Sequence, residues 1–524
     1  MQMQTLHGKL FIAADTNVDR LHVREAGSST IRRASLAEPA APSVADTGSG
    51  SFSGTRYYRV RYTVQSGGAT VLRSEPSDAT TFVPSGSGSA ARITKPATIS
   101  ENETHWEVEA SLDNSNFYRI TTLAVGTTTY DDSTSFSSGY ANVVGAVLSE
   151  DIGDYDVLHS AKFLAADDDR LLLAGSWEDE DLSSRFAWTP VLNDPGDGND
   201  ERSPIDTDNF IDLDTFEGGE ITAMSRTVNG YIFVFKWSHI YQMTRTGQRT
   251  RAYTSHALSK DKGAIPGSVV EGLDQNGRPC LYFIDPKAGP SRIGEGGVQS
   301  CGLDIRKTWE TVNIGADVIA RAIYYPESSQ VQWWLSTNDE VVPDTSIILH
   351  TQLSRQFPDG VRRGWVKFTG DRAEALSVCL FSENIEDNTT RSLVLRPFIG
   401  KSDGTIHICD SGTDDSGVAF AARIRTAPLV LNILRRLGIM DAAIVAKAAN
   451  GVTINAKVIR DFGEETKSYD VDLTPNGSED PVIKAIDDFN MSEGYALQFE
   501  FSDDDTPSGD WNLFLFAADY RDEE

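Results

Sequence analysis

Gly219–Thr244, GEITAMSRTVNGYIFVFKWSHIYQMT, decides how the rest of the chain is read. It predicts strand, Asn229-Gly230 turn, strand, short break, strand. Tyr231-Ile232-Phe233-Val234-Phe235 is apolar at every position, so both faces of that strand are expected to be buried. Asn-Gly between apolar runs is the strongest short hairpin signal, because both residues accept positive φ. A buried central strand followed by a more polar one, Trp237–Thr244, is the pattern of a β-propeller blade.

Comparable units recur. Leu10-Phe11-Ile12-Ala13 faces Arg20–Glu25 across a turn at Asp15–Asp19. Asp167-Asp168-Asp169 turns into Arg170–Gly175, and Arg185–Trp188 is a further short strand. Gly277–Ile284 pairs with a strand near Ser291–Glu295. Ala322–Tyr325 faces Val331–Leu335 across PESSQ, and Ser392–Phe398 faces Gly404–Ile408 across GKSDG. The units from residue 167 onward lie about 45–70 residues apart, the spacing of blades with their loops. No WD dipeptide, kelch glycine pair or sialidase-type box accompanies them.

Between the first hairpin and the others the character changes. The segment beginning at Ala37-Glu38-Pro39-Ala40-Ala41-Pro42 is rich in Ser, Gly and Thr through Gly54, and clean alternation follows. Tyr58, Val60, Tyr62 and Val64 point one way; Arg59, Arg61 and Thr63 point the other. Trp106, Val108 and Ala110 alternate with Glu107 and Glu109. Short strands with polar outer faces predict a β-sandwich of about 100 residues. YYRVRYTVQSGG, SEPS (Ser74–Ser77), THWEVEAS and VGTTTYDDS (Val125–Ser133) resemble fibronectin type III or immunoglobulin-like modules, which space or decorate larger proteins.

From about Asp414 the pattern shifts again. Val418–Ile424 reads as a strand and Ala443–Asp461 as a hairpin on Asn450-Gly451, with Val452, Ile454, Ala456 and Val458 on one face. Tyr495–Phe501 and Trp511–Phe516 close the sequence. The expected fold is therefore all-β. Residues 1–36 give an N-terminal hairpin joining the propeller, and 37–150 an inserted sandwich and linker. Residues 151–413 give the propeller, and 414–524 a C-terminal antiparallel β-domain or strands that close the propeller.

The 524 residues carry 47 Lys and Arg against 77 Asp and Glu, a formal charge of −30. No basic run exceeds two residues, so tight binding to nucleic acid is not expected. Cys280, Cys301, Cys379 and Cys409 have neither zinc-finger nor disulfide-scaffold spacing. Neither a signal peptide nor a membrane-spanning run is expected.

No catalytic signature is present. Gly50-Ser51-Phe52-Ser53-Gly54 places Phe where a nucleophile elbow needs Ser. Asp167–Asp169, Asp194–Glu201 and Asp503–Asp505 are acidic turns, none with an EF-hand spacing. Asp212, Asp214, Glu217 and Glu220 precede the organising hairpin, where they would rim a propeller funnel or simply solvate a loop. His407 and Cys409 share a strand face as a core pair. Tyr324-Tyr325, Trp333-Trp334 and Trp237 are aromatics for stacking on sugars or, more simply, for filling the wedge between blades. No catalytic, cofactor-binding or metal-binding residue is nominated, and no cofactor.

Taken together, YIFVFKWSHIYQMT, RFAWTP, RAIYYPESSQVQWWL and DGTIHICDSG resemble the propeller-containing tail-tube and nozzle proteins of short-tailed bacteriophages. That resemblance implies a structural virion protein made in the host cytoplasm, without enzymatic activity. It implies a homohexameric ring below the tail adaptor, in contact with tail fibre proteins, through which DNA is ejected without being bound. The alternative is a propeller that binds or cleaves glycans at a host surface. A third is a docking scaffold unrelated to phage.

Overall fold

The computed structural model describes residues 2–13, 21–29, 31–34, 36–48, 54–85, 89–134, 139–152, 161–176, 180–192, 209–226, 228–249, 251–315, 318, 320–353, 364–387, 390–409, 422–426, 430, 436–448, 452–463, 465–473, 482–486, 495–503 and 511–523. The fold is all-β, a propeller with an inserted sandwich and a C-terminal antiparallel β-domain. Its compact units are Met1–Lys367 and Phe368–Glu524. Among the described residues no helix is long and apolar enough to cross a membrane.

Among the described residues up to Thr369 are five four-stranded antiparallel sheets, each a simple up-and-down meander. Blade I is Gln2–Leu6, Lys9–Ala13, His22–Glu25 and Ile31–Arg33. Blade II is Ala161–Asp167, Arg170–Ser176, Arg185–Trp188 and Phe210–Asp212. Blade III is Ile221–Met224, Ile232–Lys236, Ile240–Arg245 and Tyr253–Ser259. Blade IV is Val270–Leu273, Pro279–Asp285, Gly289–Gly294 and Gly297–Ser300. Blade V is Arg321–Tyr325, Gln330–Leu335, Thr345–His350 and Gly364–Thr369.

The organising hairpin forms as its sequence dictates. Asn229 and Gly230 take φ of 52° and 82°, and Val228 and Tyr231 exchange backbone hydrogen bonds across them. Ile232, Phe233, Val234 and Phe235 are buried, while Tyr231 at the turn is exposed. Asp168 and Asp169 make the same positive-φ turn in blade II.

A strand buried on both faces needs a blade on either side, and the cores show this alternation. Phe11, Val23, Leu171 and Leu173 join blades I and II. Leu172, Phe186, Ile232 and Val234 join II and III. Phe233, Phe235, Leu281 and Phe283 join III and IV, with the rings of Phe235 and Phe283 at 5.2 Å. Tyr282, Ile284, Trp333 and Leu349 join IV and V. Each fully buried Phe or Leu contributes about 1.5–3 kcal/mol of apolar burial. The first strands of blades I and II, II and III, and IV and V are neighbours, so first strands lie on the inner side.

The insertion separates blade I from blade II. Ala34 is buried in the blade core and Leu36 in the sandwich core. One sandwich sheet is built on Arg56–Ser66 and His105–Ser111, the other on Ser43–Asp46, Ala91–Thr94 and Thr129–Asp132. Tyr58, Val60, Tyr62, Val64, Trp106 and Val108 fill the space between them. Glu107 and Glu109 were expected on a polar outer face, yet both are fully buried. Arg59, Arg61, Arg73, Arg119 and the returning chain at Ser149 cover them.

In the second unit, Ser377–Asp387, Thr390–Gly400 and Ile406–Ile408 form a three-stranded meander. The C-terminal strands make two facing sheets. The Asn450-Gly451 hairpin expectation fails here. Arg436–Ala448 pairs with Val482–Ile486 and Trp511–Glu523. Thr453–Arg460 pairs with Glu465–Asp472 and Leu497–Asp503 in the other sheet. The flanking strands lie in different sheets, and residues 449–451 lie outside the described residues. The predicted inward face holds: Val452, Ile454, Ala456 and Val458 pack against Ile444, Phe499 and Phe501.

Candidate functional site

In an up-and-down blade, the turn between second and third strands lies at the same end as the entry to the first strand. At that end of blade III three segments converge: the entry loop 213–220, the turn 237–239, and the exit at Lys260. They bring Asp214, Glu217 and His239 together, with one ligand-type atom from each within 4.8 Å of the others.

The loop is held from beneath. Lys236 ends the buried strand and is itself 0% exposed, so its ammonium requires acceptors. It donates to the carbonyls of Leu213, Asp214 and Glu217 at 2.9, 2.8 and 2.6 Å. Burial pushes its pKa down from the ordinary lysine value. Asp214 takes a φ of 38°, and Gly218 a φ of 80°. A Cβ on Gly218 would lie 2.3 Å from His239 Nδ1, so only glycine lets the loop approach the imidazole.

Asp214 Oδ2 accepts hydrogen bonds from the Tyr241 hydroxyl at 2.7 Å and from Lys260 Nζ at 3.1 Å. These two donors hold its carboxyl below the usual carboxylate range. Glu217 Oε2 lies 3.9 Å from both Lys260 Nζ and His239 Nε2. His239 is 6% exposed, with Nδ1 3.1 Å from Ser238 Oγ and its ring stacked on Tyr241. Burial, with Lys236 and Lys260 adding to it, pushes the imidazole pKa down from the ordinary histidine value. Phe216, between the two carboxylates in sequence, is fully exposed.

Of the four acids flagged before the hairpin, Asp214 and Glu217 meet here. Asp212 pairs instead with Arg185 at 2.8 and 3.0 Å, and Glu220 with Lys162 of blade II. The acidic turn at 167–169 serves assembly: Asp167 is buried and accepts from Arg245 Nε at 2.7 Å and Tyr253 at 2.8 Å. Asp503 accepts the Ala422 N–H at 2.9 Å. Asp194–Glu201, Asp504 and Asp505 lie outside the described residues, as does most of Gly50–Gly54.

His407 bonds Thr405 at 2.9 Å, while Cys409 is buried. Trp333 and Trp334 are fully buried, and Trp333 stacks on Trp365 at 6.1 Å, which is the wedge-filling role. Trp237 packs beside the same core. Sequence reasoning missed His239, Lys236 and Lys260. The only signal was placement: a Lys and a His bracket the break between two blade strands.

No known family profile matches the chain, and no curated protein matches it. Solved structures that align with it include the crystal structure of a glycoside hydrolase family 43 arabinoxylan arabinofuranohydrolase from Bacillus subtilis in complex with cellotetraose. The identity is 9% and the TM-score 0.19, over 92% of this chain and 96% of that one. Likeness at that level carries no inference for this chain.

Proposed function

We propose that the chain is a structural protein of a bacteriophage tail, a ring-forming conduit beneath the adaptor through which DNA passes. The observation that carries this reading is how the carboxylates are used. Two of those paired to cations tie blades II and III together: Asp167 reaches Arg245, and Glu220 reaches Lys162. The surplus behind the −30 charge is left to repel phosphate rather than bind it. In a closed ring of copies that charge multiplies, and a strongly acidic assembly lets DNA slide. The inserted sandwich serves as a decorating module toward neighbouring subunits or tail fibres.

Immunogold electron microscopy on particles from the same source tests the reading. Label at the tail vertex or tip is expected; unlabelled particles with the protein found elsewhere overturn it. Purified protein is also expected not to retain double-stranded DNA at physiological salt.

A second reading, a glycan-binding propeller, rests on Phe216, which stands fully exposed beside Asp214 and Glu217. An aromatic face beside fixed acceptors suits a sugar ring. Cleavage needs one carboxyl pushed up to act as acid, whereas Asp214 is held low. Polysaccharide binding that Phe216→Ala abolishes would move this reading to first place.

A further inference from the structure

We infer that Asp214, Glu217 and His239 form a binding site for a borderline divalent cation of the class of Zn²⁺. The inference is independent of both functional readings above.

Three donors of the right kinds converge. Their atoms lie within 4.8 Å of one another; Glu217 is on an exposed side chain able to close by rotation, while Asp214 is held at Oδ2 by Tyr241 and Lys260. Metal-ligand bonds of about 2.0–2.2 Å draw such donors inward by modest torsional changes. The imidazole is the fixed point. It is more than nine-tenths buried, walled by Gly218, and its Nε2 faces Glu217 at 3.9 Å, beyond hydrogen-bond reach. No hydrogen bond to Nε2 occurs among the described residues.

The surroundings orient that ring for ligation. Ser238 Oγ lies 3.1 Å from Nδ1, and in the tautomer that donates Nδ1–H to it the Nε2 lone pair points into the cluster. A hydrogen bond at the far nitrogen is the usual outer support of a metal-bound histidine. The loop bearing both carboxylates is pinned through its carbonyls by buried Lys236, so its backbone is set before any ion arrives.

In that tautomer the Nε2 lone pair faces carboxylate oxygen, and a cation between them removes the repulsion. Lys260 supplies one positive charge, 3.1 Å from Asp214 and 3.9 Å from Glu217. Its side chain is more than half exposed and can withdraw into solvent. A divalent ion would balance both carboxylates, where the ammonium balances one. The imidazole selects against Ca²⁺ and Mg²⁺, which favour all-oxygen sets, and for borderline ions. Water or a partner group would complete the coordination.

The test uses the full chain, stripped with a chelator and titrated with ZnCl₂ by calorimetry. One ion per chain is expected. Lys260→Gln, which removes the competing ammonium, is expected to tighten binding by about tenfold, and Glu217→Gln to weaken it by about tenfold or more. His239→Gln should abolish it. Glu217 is exposed, so its variant keeps the test valid if His239→Gln fails to fold. The inference is overturned if neither the parent nor Lys260→Gln takes up Zn²⁺, or if uptake is unchanged by Glu217→Gln.

Discussion

The Tyr253 hydroxyl donates to Asp167 Oδ2 at 2.8 Å, tying the last strand of blade III to the hairpin turn of blade II. Arg245 reaches the same carboxylate from the adjacent strand. Both Asp167 and Tyr253 are buried, so water cannot replace a lost partner. Tyr253→Phe leaves a buried charged acceptor short of one donor. The expected cost is about 1–3 kcal/mol, read as a lowered midpoint in denaturant unfolding. The Tyr253 ring lies 5.2 Å from Trp188, so tryptophan fluorescence should report the change.

Within the sandwich, Glu109 offers its carboxylate to Arg59, Arg61 and Arg73. Burial alone would raise its pKa, but the three guanidinium groups outweigh it and hold the value low. The folded pKa therefore lies below the unfolded one. The stabilisation is complete above the unfolded value and is lost as pH falls through the folded value. Hydrogen-exchange protection of 56–66 and 105–111 should hold from pH 7 to 5 and decline in stronger acid. Glu109→Gln should cost about 3–5 kcal/mol, because it strands buried cations. Arg92→Ala breaks only an exposed pair with Asp131 and should leave stability unchanged within error.

Gly218 and Gly230 both have φ near 80°, but their surroundings differ. Nothing lies within 4 Å of a Cβ at Gly230, so Gly230→Ala should cost only the backbone term of about 1 kcal/mol. Gly218→Ala also collides with the His239 ring. It should lower the melting temperature further and shift the His239 imidazole resonances, which Gly230→Ala should leave alone.

Cys379 is exposed, whereas Cys280, Cys301 and Cys409 are buried. Burial also pushes the Cys280 thiol up to about 11, which suppresses its thiolate. A maleimide or disulfide reagent should label one thiol per native chain quickly, and all four after denaturation. Fast labelling at Cys280 would contradict the packing between blades IV and V.

What was legible in the sequence was local. Asn229-Gly230 and Asp168-Asp169 set hairpins within a few residues, and PESSQ joins Arg321–Tyr325 to Gln330–Leu335 in register. Alternation gave faces correctly even where it gave partners wrongly. Ile454 and Ala456 point into the core, yet their strand pairs across to Leu497–Asp503 instead of back to Ala443. A period of two identifies a face and is silent about the neighbour. Glu107 and Glu109 were misplaced because the groups that cover them, Arg73 and Ser149, come from distant segments. The cluster at blade III was half visible for the same reason. Asp214 meets Tyr241 and Lys260 across 27 and 46 residues, separations that no local pattern encodes.

Ala34 sits in the core shared by blades I and II, Leu36 in the sandwich core, and the chain does not return to blade II until Ala161. During synthesis blade I therefore leaves the ribosome well before the strand it packs against. The sandwich, complete in sequence by residue 149, can fold in the interval. Once folded it gathers a long connection into a rigid body whose two ends emerge at fixed positions. Closing blade I onto blade II then costs less chain entropy than a free loop of that length. The inserted module thus acts on the timing of assembly: variants that unfold it should slow the docking of the first blade even where they touch none of its residues.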